Sequence, residues 1–131
     1  MKSRRVGSAG TVLVVDPDDA LRRFVRNRLE AHDYLVLDAG EVAEAVRIAR
    51  VFVGPIHLAL VKLTLPATAS RELAETLRAS HAESQLIYMS TRAPAELVRM
   101  RELGAGQAFL RKPFTEDQLL ARIHEALAQS P

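Results

Sequence analysis

The sequence predicts an α/β fold in which helices cover both faces of a parallel sheet, and two patterns carry that expectation. Five short runs rich in valine, isoleucine and leucine recur along the chain, and each is followed by a stretch whose apolar residues return every three or four positions. Strands that are apolar at nearly every position are buried on both faces, as in parallel sheets. Strand–helix alternation with short connections then gives a doubly wound sheet through right-handed crossovers.

The elements follow in order. Residues 1–10 read as a flexible N-terminal segment, and a single domain is expected over 11–128. The first strand covers 11–15, and Asp18 or Asp19 caps a helix with Leu21, Phe24, Val25 and Leu29 on one face. A second strand over 34–38 precedes a helix carrying Val42, Ala45, Val46 and Ala49. The third strand, 57–62, closes on Lys62, and Leu73, Ala74 and Leu77 mark the next helix. After the fourth strand, 85–90, Pro94 suits the first turn of a helix through Leu97, Val98, Met100 and Leu103, which Gly104 is placed to close. The fifth strand, 108–111, leads to Thr115-Glu116-Asp117-Gln118, a capping-box pattern ahead of Leu119, Leu120, Ile123 and Leu127.

Composition narrows the function. With 131 residues and 48% hydrophobic content, the chain has the size and apolar mass of one domain. No apolar stretch is long enough to span a bilayer and the first ten residues hold no apolar signal region, so a cytoplasmic protein without membrane contact is expected. The absence of cysteine removes disulfides and thiolate chemistry. A formal charge of +2 spread along the chain, with 5% aromatics, argues against direct nucleic-acid binding. His32, His57, His81 and His124 are scattered, and no glycine-rich phosphate loop follows the first strand, so neither a metal nor another cofactor is expected.

Ligand sites in doubly wound sheets lie beyond the carboxyl ends of the strands. Those ends carry Asp16, Lys62, Ser90 with Thr91, and Lys112, so one carboxylate, two ammonium groups and a hydroxyl are expected along a single edge.

These residues resemble the receiver domain of bacterial two-component response regulators, from about Thr11 to Leu127. Val12-Leu13-Val14-Val15-Asp16 is similar to the family's opening strand with its acidic end, and Leu65-Pro66 to the hydrophobic-proline pair four residues past the phospho-acceptor. Ser90 falls on the hydroxyl switch position, Phe109 on the aromatic switch position, and Lys112-Pro113-Phe114 on the lysine-proline motif. The resemblance implies a flavodoxin-like (βα)5 three-layer sandwich with sheet order 2-1-3-4-5. It also implies a Lys112 that contacts the acceptor or its phosphoryl group, and a cis peptide before Pro113. The face of the fourth helix, fifth strand and fifth helix would carry output; here it includes Arg92, Arg99, Arg101, Phe109, Arg111 and Arg122.

The departures fall on the chemistry. Counting back from Pro66, Lys62 occupies the acceptor position, and the acidic pair after the first strand is reduced to Asp16-Pro17. Asp18 reads as a helix cap, and Ala69-Ser70 stand where the family has an aspartate-glycine turn. Phosphoryl transfer to a receiver needs a carboxylate nucleophile and a magnesium ion, and Lys62 supplies neither. Counting Asp16 against Lys62 and Lys112 moves the local charge from about −2 in the family to about +1, which repels a dication. An ammonium of Lys62 lying beside Asp16 would replace that ion with a built-in cation.

The functional expectation is therefore a degenerate receiver, not an enzyme, that signals through protein contacts with a kinase, an output domain or a second copy of itself. Two alternatives stand beside it: a phosphorelay receiver using Asp16, Asp18 or Ser90 as acceptor, and an enzyme forming a Schiff base on Lys62 next to Lys112.

Overall fold

The computed structural model describes residues 7–63, 68–103 and 108–128. Strands and helices alternate as β1 (Gly10–Val15), α1 (Asp19–Glu30), β2 (Tyr34–Ala39), α2 (Val42–Val51), β3 (Leu58–Lys62), α3 (Thr68–Ser80), β4 (Gln85–Ser90), α4 (Pro94–Leu103), β5 (Ala108–Arg111) and α5 (Glu116–Ala128). All strand pairs are parallel, in the order β2-β1-β3-β4-β5. Consecutive chain order reverses at β1, which places Val15 between Ala39 and Val61 and opens the edge beyond them.

Alternation along each strand divides the core in two. Val12, Val14, Leu58, Leu60, Ile87 and Met89 meet Val25 and Leu29 of α1 and Leu119 and Ile123 of α5. The intervening residues Leu13, Val15, Ala59, Val61 and Tyr88 meet Ala45, Val46 and Ala49 of α2 and Leu73 and Leu77 of α3. Each large aliphatic side chain buried this way contributes ~1.5–3 kcal/mol, so the two layers hold the strand ends in fixed register. Among the described residues no helix is long and apolar enough to cross a membrane.

Local signals placed most elements within a residue or two. Asp18 Oδ1 accepts from the backbone N–H of Ala20 and Leu21 at 2.9 and 3.2 Å, so Asp18 rather than Asp19 caps α1. The capping box of α5 closes in both directions: Thr115 N–H donates to Gln118 Oε1 at 2.9 Å and Gln118 N–H to Thr115 Oγ1 at 3.1 Å. Gly10 starts β1 one residue early at φ 139°, where a Cβ would lie 3.4 Å from His57 Nδ1. His57 stands just before β3, its N–H donating to Thr11 O.

Ala69 and Ser70, which stand where the family has an aspartate-glycine turn, belong to α3; the stretch has no glycine to break a helix, and alanine favours one. One element departs from expectation. In α4 no residue is fully buried, and Leu97 and Val98 are 40% and 53% exposed. Only Met100 and Leu103 lean on the core, since α4 lies next to an edge strand of four residues that offers little surface to cover. Leu65-Pro66, Gly104 and the first six residues lie outside the described residues.

Candidate functional site

Asp16 follows β1 directly and is 1% exposed. Its N–H donates to Ala39 O at 3.1 Å, and its carbonyl oxygen accepts from the Arg22 guanidinium at 2.7 Å. Its carboxylate is engaged at both oxygens: Oδ1 accepts from Asp18 N–H at 2.9 Å, and Oδ2 from Lys112 Nζ at 2.6 Å. A buried carboxylate persists only when paired and hydrogen-bonded, and these two bonds meet that condition. Pro17, lacking an N–H and a carboxylate, turns the chain between Asp16 and the cap of α1.

Lys112 reaches Asp16 from the opposite side of the sheet edge. Its N–H donates to Ser90 O at 2.6 Å, which extends the β4–β5 pairing by one bond, and the Lys112–Pro113 peptide is cis. Arg22 also pairs with Asp19 and lies 3.6 Å from Asp38, so α1 and β2 are tied to the same corner.

Lys62 ends β3 opposite Met89 and is partly buried. Among the described residues it makes no ion pair and no side-chain hydrogen bond. The expectation that it would sit on Asp16 is thereby corrected: Lys112 holds that carboxylate. One Asp16 oxygen accepts from a backbone N–H and the other from the Lys112 ammonium. Lys62 instead lines a cavity of ≈ 290 Å³ with Val15, Asp16, Pro17, Gly40, Glu41 and Val42.

Ser90 is 0% exposed and its Oγ has no hydrogen-bond partner among the described residues. Thr91, next in the chain, is fully engaged: its N–H and hydroxyl both donate to the Glu96 carboxylate, at 2.9 and 2.6 Å. Phe109 is partly buried and packs on Tyr88 with ring centroids 6.0 Å apart. Arg99 and Arg122 make pairs within their own helices, with Glu102 and Glu125 at 3.2 Å each, while Arg111 is exposed. The structure thus gathers Asp16 and Lys112 in one contact and leaves the side chains of Lys62 and Ser90 without partners among the described residues. Arg111 and Arg122 line a cavity with Gln118 and Glu125 that includes neither Asp16 nor Lys112.

Sequence reasoning missed Arg22 and Glu41. An arginine four residues past a cap signals only a helix; that it folds back on Asp16 O is a tertiary fact. Glu41 precedes α2 as its cap residue, makes no side-chain capping bond and is one of the residues lining the cavity.

Five parallel strands in this order, with polar groups gathered where the order reverses, define a flavodoxin-like fold with its site at the carboxyl edge. Residues 12–124 match the response regulator receiver domain, and the chain belongs to that family, a family of signalling domains. The chain is similar to the sensor kinase CckA of Brucella abortus, 28% identical over 126 residues, covering 96% of this chain and 13% of that protein. It is equally similar to the cell cycle response regulator CtrA of Brucella ovis, 28% over 120 residues, covering 91% of this chain and 50% of that one. The chain therefore spans half or less of the length of these relatives. Among solved structures it resembles the receiver domain of the hybrid histidine kinase CckA, with TM-score 0.70 and 26% identity, covering 90% and 99% of the two chains. The chemotaxis protein CheY4 of Vibrio cholerae shares the fold at TM-score 0.72 and 22% identity, covering 89% and 98%.

Proposed function

We propose that this receiver domain signals through protein contacts and does not take a phosphoryl group by the aspartyl route. The observation that carries the reading is the occupation of the site: Lys62 ends β3, and the buried Asp16 carboxylate is paired with Lys112 and accepts from Asp18 N–H. A magnesium ion does not fit these residues. It prefers an octahedral shell of hard oxygens, whereas Asp16 already faces the Lys112 ammonium, Pro17 has no carboxylate, and Lys62 adds positive charge.

The phosphorelay alternative finds no support in the same geometry. Asp16 is engaged at both oxygens, Asp18 is spent on the cap of α1, and Ser90 is fully buried. For output, the reading assigns the α4–β5–α5 face, to which α4 contributes exposed Leu97 and Val98 with Arg99, β5 Arg111 and α5 Arg122. That mixture suits a partner surface with an apolar centre and acidic rim, on a kinase, an output domain or a second copy.

The test is a titration of magnesium, then of beryllofluoride as a phosphoryl mimic, followed by backbone amide shifts at Asp16, Lys62, Ser90, Phe109 and Lys112. No response at millimolar ligand is the expected result. Saturable shifts reaching Ser90 and Phe109 would overturn the reading.

A further inference from the structure

We infer that His81, with His57 beside it, forms an acid-sensitive latch at the amino edge of the sheet: each ring must be neutral to hold its contact, and a proton on His81 releases the connection between α2 and β3. The latch lies at the edge opposite the one on which the proposed function rests, so either can fail without the other.

Backbone N–H groups fix the protonation of both rings. Ile56 N–H donates to His81 Nδ1 at 3.3 Å, and Thr11 N–H donates to His57 Nδ1 at 2.9 Å. An amide N–H can only donate, so each Nδ1 offers its lone pair and carries no hydrogen. In His81 the one ring hydrogen is then on Nε2, which donates to Ala49 O at 2.9 Å. A single neutral tautomer satisfies both bonds. The imidazolium keeps the bond to Ala49 O and sets N–H against N–H at Ile56.

The His81 ring is the point from which a break spreads. It follows α3 directly, and its own N–H donates to Leu77 O at 2.6 Å. Through the ring, which belongs to a residue 9% exposed, α3 is tied to α2 at Ala49 and to the entry of β3 at Ile56. Between α2 and β3 the chain is held at one end by Phe52 N–H to Ile48 O at 2.9 Å and at the other by the ring. Val51 and Val53, at the start of this connection, are 75% and 93% exposed and add little packing to hold it.

The surrounding charges do not favour a charged ring. Among the described residues no carboxylate forms an ion pair with His57 or His81. Arg50 of α2 and Glu72 of α3 lie 3.8 Å apart and answer each other. The carboxyl ends of α2 and α3 attract a cation, but Arg50 and Arg78 already stand in their last turns. Glu83, on the loop after His81, is exposed, and α5 brings only the apolar Leu127 to the cavity of ≈ 660 Å³ that His57, His81 and Glu83 line. A buried cation with no counter-ion is costly, so the closed latch excludes the proton.

Acid therefore acts in one direction. The open chain takes up a proton at His81 once pH falls through the ordinary histidine range, about 6.5, and the closed chain does not. The latch is fully closed above that range and weakens below it. On opening, Ile56 N–H and the ring meet water in the cavity, which Ile56 also lines. The Ser84 hydroxyl, buried without a partner among the described residues, belongs to a residue lining the same space.

The experiment is amide hydrogen exchange on the whole chain at about pH 7.5 and 5.5, corrected for the intrinsic pH dependence of exchange, with Ile56 compared with the buried Val14 of β1. Expected is a rise of about 10-fold in the opening of Ile56 relative to Val14 at the lower pH, the factor set by one proton bound in the open state alone. In His81→Gln the carboxamide can accept from Ile56 N–H and donate to Ala49 O without ever charging, so the acid response should vanish while circular dichroism shows the fold intact. His57→Gln should keep the response at Ile56. A ratio unchanged between the two pH values in the unsubstituted chain overturns the inference, and so does an acid response that persists in folded His81→Gln. Should His81→Gln fail to fold, the ratio in the unsubstituted chain decides.

Discussion

The two edges of the sheet are both polar, yet they are satisfied in opposite ways. At the amino edge, His57 Nδ1 accepts from Thr11 N–H at 2.9 Å. His81 is 9% exposed; its Nδ1 accepts from Ile56 N–H at 3.3 Å and its Nε2 donates to Ala49 O at 2.9 Å. Each imidazole replaces a strand or helix partner that the backbone lacks there. At the carboxyl edge, Asp16 and Lys112 satisfy each other while Lys62 and Ser90 find no partner among the described residues. Polar groups with every bond made are a structural joint, and polar groups left open beside a cavity are where a ligand or modification has something to gain.

That contrast can be broken by substitution. The largest effect is expected for Lys112→Met, which strips Asp16 of its counter-charge inside the fold and should cost about 3–5 kcal/mol in urea unfolding. Adding Asp16→Asn should recover much of it, and a single-mutant loss below ~1 kcal/mol would mean the pair is solvated and carries little.

Next comes His81→Leu at the amino edge. It leaves Ile56 N–H and Ala49 O without partners, at ~1–3 kcal/mol each, so a loss of roughly 2–4 kcal/mol is expected after the apolar replacement. A neutral outcome in the same unfolding measurement would show that water replaces the ring.

Lys62→Ala should change stability by less than ~1 kcal/mol, since no described residue depends on its charge. This inverts what a built-in cation on Asp16 would require, so a loss comparable to that of Lys112→Met would reinstate Lys62 as the counter-ion.

The smallest effect concerns pH. Burial pushes the Tyr34 hydroxyl, at the start of β2 beside Gly10, above its ordinary value of 10.0. The folded state then holds its proton longer than the unfolded state, so this contribution is intact below pH 10.0 and declines as pH rises through the folded value. Tyr34→Phe should flatten that alkaline decline in denaturant titrations; an unchanged slope would assign the decline to other groups.

Most of the fold was legible because its causes are local. Apolar periodicity, Asp18 as a cap and the Thr115–Gln118 box each act within a few residues, and the layers follow from burying both faces of the strands. The exposure of α4 was not legible, because its apolar residues look like a core face until the shortness of β5 leaves them nothing to cover. The histidines were equally opaque: spacing showed them scattered, whereas the parallel sheet brings His57 to Thr11 and His81 to Ile56.

For the site, the sequence by itself determined which chemical groups exist at the carboxyl edge, including the lysine at the end of β3 and the proline after Asp16. Residue identity at a strand end is read directly from the order of the chain. Only the tertiary structure decided who pairs with whom. Two ammonium groups compete for one buried carboxylate, and the winner is set by the path of the chain after β5, which brings Lys112 to 2.6 Å of Asp16. Lys62 remains unpaired among the described residues, at the wall of a cavity it shares with Glu41.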